Sequence, residues 1–207
     1  MLCITFINPL ATPLFMKISS ELKELIKAWL AISLAFGILI NMGNKELGLG
    51  TSLLIAGATV GLGFVCHELS HRYFARKFGK HAEFKANNLM LIIAIFTSMF
   101  GFVLAAPGAV IISGFVNRRE GGIIAAAGPA ANLALALVFL PFVFIFPSIA
   151  YYGFMINSWL AFFNLIPFYG FDGHKVIEWS KLVYALLAII AIALNVGHII
   201  LQNYISI

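Results

Sequence analysis

At 207 residues, of which 62% are hydrophobic and only 10% charged, the chain departs from soluble domains, where about 25% of residues are charged. This composition excludes a soluble monomer, a disordered chain, a collagen and a nucleic-acid binder, and leaves a polytopic helical membrane protein. The net charge of +5, from 13 Lys and Arg against 8 Asp and Glu, then reports loop orientation rather than an anionic partner, and Cys3 and Cys66 give no disulfide framework.

Residues 1–16 are apolar but contain Pro9 and Pro13 and lack a basic start, so they suit neither a signal peptide nor a spanning helix. Residues 1–19 read as an extended or interfacial segment, with Ser20 capping a helix whose first turn holds Glu21 and Glu24. Apolar runs able to cross about 30 Å of hydrocarbon follow at 26–42, 47–69, 89–115, 123–146, about 149–171 and 182–201. Residues 43–46 form a tight turn, and Pro147 and Ser148 separate the fourth and fifth runs. With no long loop, linker or internal repeat, residues 1–207 are expected to be a single membrane domain with its transmembrane core at 26–201.

Lys17, Lys23 and Lys27 precede the first run, and Arg72, Arg76, Lys77, Lys80 and Lys85 follow the second, which places both regions in the cytoplasm together with Arg118, Arg119, Lys175 and Lys181. Residues 89–115 must then leave the cytoplasm and return within one run. A helix over 89–104 rises about 24 Å, and an extended return over 106–115 covers about 33 Å, with the break at Pro107 and Gly108. The β-branched Val110, Ile111 and Ile112 suit a strand, which must face a protein-lined, wet cavity because lipid cannot satisfy its edge. The alternative is one long tilted helix with Arg118 outside. The expected fold class is therefore an all-α polytopic membrane protein of about six transmembrane segments, with one membrane-re-entrant extended (β) segment.

The second run ends in Cys66-His67-Glu68-Leu69-Ser70-His71, an H-E-x-x-H pattern. Residues i and i+4 share a helical face, so His67 and His71 can present imidazoles to one Zn2+ while Glu68 lies beside them as a base for water. The plain alternative is two histidines on one face by accident, but ionisable groups inside a span are costly and functional by default. Catalytic zinc needs a third protein ligand and an open position. Glu21, Glu24, Glu46, Glu83, Glu120 and Glu178 lie at segment edges among basic neighbours and read as solvated charge. Asp172, the only aspartate, follows the fifth run. Leu47 to His67 is about 30 Å of helix and Tyr151 to Asp172 about 32 Å, so the two ends reach similar depth. Pro167 and Gly170 are expected to unwind the chain before Asp172. His174 is a rival third ligand, His81 lies in a basic loop, and His198 reads as a packing residue.

These residues resemble the site-2 protease family of intramembrane zinc metalloproteases. The family's second motif, N-x-x-P followed by D-G, appears as Asn164, Pro167, Asp172 and Gly173, and its G-P-x-x-N feature as Gly128, Pro129 and Asn132. The resemblance covers residues 61–178 and includes a re-entrant extended segment between the two zinc motifs. It implies one Zn2+ per chain held by His67, His71 and Asp172, with Glu68 as base and Asn164 near the scissile bond. It also implies transmembrane protein substrates in the lipid bilayer, and the chain has no room for the PDZ-like or CBS domains of larger relatives. Asn132 is read as a structural bridge between helices, the small residues at 57–61 and 125–131 as close-packing faces, and Trp29, Trp159 and Trp179 mostly as interface anchors. Two other classes remain as alternatives: a zinc transporter, disfavoured because the polar groups gather at one depth, and a non-proteolytic membrane-protein binder.

Overall fold

The computed structural model describes residues 14–104 and 107–202, with side chains from residue 20 onward. Helix α1 spans Leu14–Gly43. Asn44 then caps a short 3-10 turn, Lys45–Leu47, by accepting the Glu46 N–H. Helix α2 (Gly48–Ala56), a π-helical stretch at Gly57–Gly61 and α3 (Leu62–Lys77) form one continuous rod. Strand β1 (His81–Ala86), helix α4 (Asn88–Ser98) and strand β2 (Gly108–Ser113) follow. The remainder is α5 (Arg118–Phe139, prolonged by a 3-10 turn at Leu140–Phe144), α6 (Pro147–Asn164), α7 (Asp172–Trp179) and α8 (Lys181–Gln202).

Among the described residues, four helical stretches are long and apolar enough to cross a membrane: Ser20–Gly43, Lys45–Lys77, Arg118–Phe144 and Lys181–Gln202. They match the first, second, fourth and sixth apolar runs. The third run differs from expectation, because α4 has 11 residues, a rise of only about 16 Å. It stops at Gly101, whose φ of +86° is open to glycine but strained for other residues, and not at Pro107. The fifth run holds α6, 18 residues long, which is not among those four and buries Asn157 and Ser158 in the bundle. The N-terminal expectation also needs correction. Residues 14–19 are helical, so Ser20 lies inside α1 and not at its N-terminus, whereas residues 1–13 lie outside the described residues.

The extended return forms as β2, within the expected 106–115, and the single-long-helix alternative is excluded. Its partner was not anticipated. Residues 81–86 pair antiparallel with it, His81 opposite Ser113 and Ala86 opposite Gly108. The alternation that builds β1 is regular: Ala82 and Phe84 are buried, while His81, Glu83 and Lys85 point the other way.

The main core joins α1, α2, α3, α4, β1 and α6 through Ile32, Ile55, Val60, Phe64, Phe84, Leu91 and Ile156. Close approach of α1 to the π-helical stretch depends on Gly57 and Gly61, which pack against Trp29, and the Trp29 Nε1–H donates to the Gly57 carbonyl at 3.1 Å. The indole thus seals a helix contact instead of anchoring at an interface. That π-helical stretch sits just ahead of the H-E-x-x-H turn and sets the face on which it emerges.

Candidate metal centre

Helix α3 carries His67, Glu68 and His71, which are 7, 8 and 9% exposed. The two imidazoles are each oriented from behind. His67 Nδ1–H donates to Asn132 Oδ1 at 2.6 Å, and His71 Nδ1–H donates to the Ile124 carbonyl at 2.7 Å, both acceptors belonging to α5. The Asn132 amide cannot turn over, because its Nδ2 donates to the Gly63 carbonyl (3.1 Å) and to Asn157 Oδ1 (3.0 Å). The second ring nitrogen of each histidine is therefore a lone pair aimed into the bundle, the arrangement typical of metal-ligating histidines.

Asp172 reaches the same point from the other side. Helix α6 ends at Asn164, the chain turns through residues 165–171 with Gly170 at φ +101°, and α7 starts at Asp172. This is the unwinding expected from Pro167 and Gly170. Gly173 lets α7 begin hard against that turn, since a Cβ there would overlap the Leu165 carbonyl. Asp172 Oδ2 lies 3.2 Å from His67 Nε2 and 3.2 Å from His71 Nε2, and the two Nε2 atoms are 2.9 Å apart.

Three acceptors thus converge with no donor between them, which is unfavourable unless a cation binds there. The centre of the triangle is about 1.8 Å from each corner, close to the roughly 2.0–2.2 Å of zinc bonds to nitrogen and oxygen. Among the described residues, these three form the group able to hold a metal ion. Gly128 on α5 keeps the space open, because a Cβ at that position would lie 2.5 Å from His71 Nε2 and 2.6 Å from His67 Nε2.

Glu68 is not part of the triangle, and its carboxylate is approached by the backbone N–H of Val110 on β2. The register explains why that N–H is available. The N–H of Phe84, opposite Val110, points away from β2 to Glu21, so Phe84 and Val110 form a non-hydrogen-bonded pair whose backbone groups face outward.

Asn164 lies at the end of α6 with its Nδ2 donating to the Leu160 carbonyl at 2.9 Å. His174 stands apart from the triangle, 3.6 Å from Glu178 and stacked edge-on with Tyr169. Glu21 overturns its reading as solvated charge: it is 7% exposed and pairs with Arg72 and Arg76 at 3.3 and 3.5 Å. The sequence reading gave Asn132 a structural bridge and missed its bond to His67, and it missed the space left by Gly128. The G-P-x-x-N spacing carried both, since it puts Gly128 and Asn132 one turn apart on one helical face.

No protein-family profile matches the chain, and no solved structure matches it. Three curated relatives share the name "Putative zinc metalloprotease". MJ0611 of Methanocaldococcus jannaschii is 42% identical over 144 residues, covering 66% of this chain and 75% of the relative. YwhC of Bacillus subtilis is 30% identical over 58% of this chain and 66% of its own length. Rip2 of Mycolicibacterium smegmatis is 29% identical over 61% of this chain and 56% of its own length. With a triad able to hold a metal ion, two of its members on an H-E-x-x-H helix, and with this similarity, the chain belongs to the zinc metalloprotease family that these relatives represent.

Proposed function

We propose that the chain is an intramembrane zinc endopeptidase of the site-2 protease type, which hydrolyses peptide bonds in transmembrane segments of other membrane proteins near the cytoplasmic face. The observation that carries this reading is the meeting of His67, His71 and Asp172 at one point, beside Glu68 and an open strand edge, in a chain with four helices apolar enough to span.

Zinc, when held by the three side chains, acidifies water to near-neutral pKa and polarises a carbonyl. His67, His71 and Asp172 would hold the ion, while Asn132 and the Ile124 carbonyl keep both imidazoles in the ligating tautomer. Glu68 takes the proton of the attacking water and delivers it to the leaving amine nitrogen. Asn164 turns its amide from Leu160 toward the scissile carbonyl or the peptide backbone. Burial of the histidines and Glu68 keeps bulk water from the reacting atoms.

A transmembrane helix has its backbone groups already bonded, so it must unwind before hydrolysis. The outward-facing groups of Gly108 and Ile112, with the Val110 carbonyl, would take up the unwound segment by strand addition. The basic residues flanking the spans support a cytoplasmic position for this end of the bundle.

The test is purified protein with a membrane-embedded substrate. Glu68→Gln is expected to retain zinc and lose cleavage, whereas His67→Ala and Asp172→Ala lose both. Full activity in Glu68→Gln refutes the mechanism.

A further inference from the structure

Glu21 is a buried carboxylate at the start of the first span, where an ionisable group is costly unless it has a task. Its Oε1 accepts the Phe84 N–H at 3.0 Å and lies 3.3 Å from Arg72 Nη1, and its Oε2 lies 3.5 Å from Arg76 Nη2. Arg76 also donates to the Ala82 carbonyl through Nε at 3.0 Å and Nη2 at 2.7 Å. One turn along α1, Glu24 Oε2 accepts the Ala86 N–H at 3.2 Å.

Ala82, Phe84 and Ala86 alternate along β1 and share the outward-facing edge, because Phe84 bonds away from β2. Side chains from α1 and α3 therefore supply what a third strand would supply, and this edge is closed to any newcomer. Among the described residues, the opposite edge, on β2, is the one left for pairing. The same contacts set its height. Phe84 is opposite Val110, whose N–H meets Glu68, and Arg72 directly follows His71. Glu21 thus ties the strand pair to the helix that bears the two histidines.

We propose that Glu21, assisted by Glu24, is a positioning residue for substrate: it directs an extended segment to the β2 edge and fixes that edge level with Glu68. This rests on the strand-addition reading above. The test uses the full chain in detergent micelles with a synthetic leucine- and alanine-rich transmembrane peptide bearing a central Asn-Pro break, and reads zinc content, KM, kcat and the bond cut.

Glu21→Leu is expected to keep its zinc, raise KM by about fivefold, the size of one lost hydrogen bond, and spread cleavage over neighbouring bonds. Glu21→Gln, which keeps an acceptor for the Phe84 N–H, is expected to restore the single cut. Should Glu21→Leu fail to fold, Glu24→Leu decides, because it leaves both arginine contacts in place; a rise in KM of about twofold or more is expected. An unchanged KM and an unchanged cut bond in the folded variants overturn the proposal. If Ile112→Pro, which removes an outward-facing N–H that does not meet Glu68, also leaves turnover unchanged, the strand-addition reading fails with it; if Ile112→Pro is impaired, the assignment of Glu21 alone is wrong.

Discussion

Replacing Gly128 by alanine tests the metal centre with one methyl group. The added Cβ would stand 2.5 Å from His71 Nε2 and 2.6 Å from both Cε1 and Nε2 of His67, about 0.9 Å inside the 3.4 Å where ordinary contact begins. Two effects compete. Alanine favours a helix over glycine by about 1 kcal/mol, which supports α5. Overpacking of this kind costs about 1–3 kcal/mol, and here it falls on the two ring nitrogens that face the ion position. The fold should therefore survive while zinc affinity drops by about 5- to 150-fold, at roughly tenfold per 1.4 kcal/mol. The assay is competition with a graded chelator, read as zinc per chain, alongside a thermal melt without metal. Gly121→Ala is the control, since its Cβ meets only Val116 Cγ1 at an ordinary 3.7 Å. Zinc affinity within twofold of wild type in Gly128→Ala would refute the placement of the ion.

Two further substitutions separate orientation from docking. Asn132→Ala takes away the acceptor of the His67 Nδ1–H and the donor to Asn157 Oδ1; zinc affinity should fall about 10- to 100-fold and stability by about 1–3 kcal/mol, measured by chelator competition and melting, with Asn132→Asp recovering affinity more than stability. Ile112→Pro removes an N–H that faces outward and does not meet Glu68, so β1 and β2 stay paired while turnover drops about tenfold at unchanged zinc content; cleavage at the wild-type rate discards strand addition.

The sequence made the metal centre legible because its residues are rare in their surroundings: two histidines and a glutamate inside an apolar helix, and one aspartate after a Pro- and Gly-containing turn. The extended β2 was legible from a length mismatch, since residues 89–115 are too few for two helical crossings. Its partner was obscured by charge. His81, Glu83 and Lys85 made residues 81–86 look like a solvated loop, although Ala82 and Phe84 alternate with them as a half-buried strand requires. Glu21 was misread for the same reason, because basic neighbours in sequence suggest water, whereas here Arg72 and Arg76 come from a different helix and bury it. The early end of α4 was signalled by Gly101, but Pro107 drew attention as the stronger breaker.

Zinc K-edge X-ray absorption on the purified chain addresses the ligand set most directly. Two imidazole nitrogens and one carboxylate oxygen are expected at about 2.0–2.2 Å, with the bound zinc lost in Asp172→Ala. A sulfur scatterer at about 2.3 Å, or an Asp172→Ala variant that keeps its zinc with an unchanged spectrum, would contradict a site built from His67, His71 and Asp172.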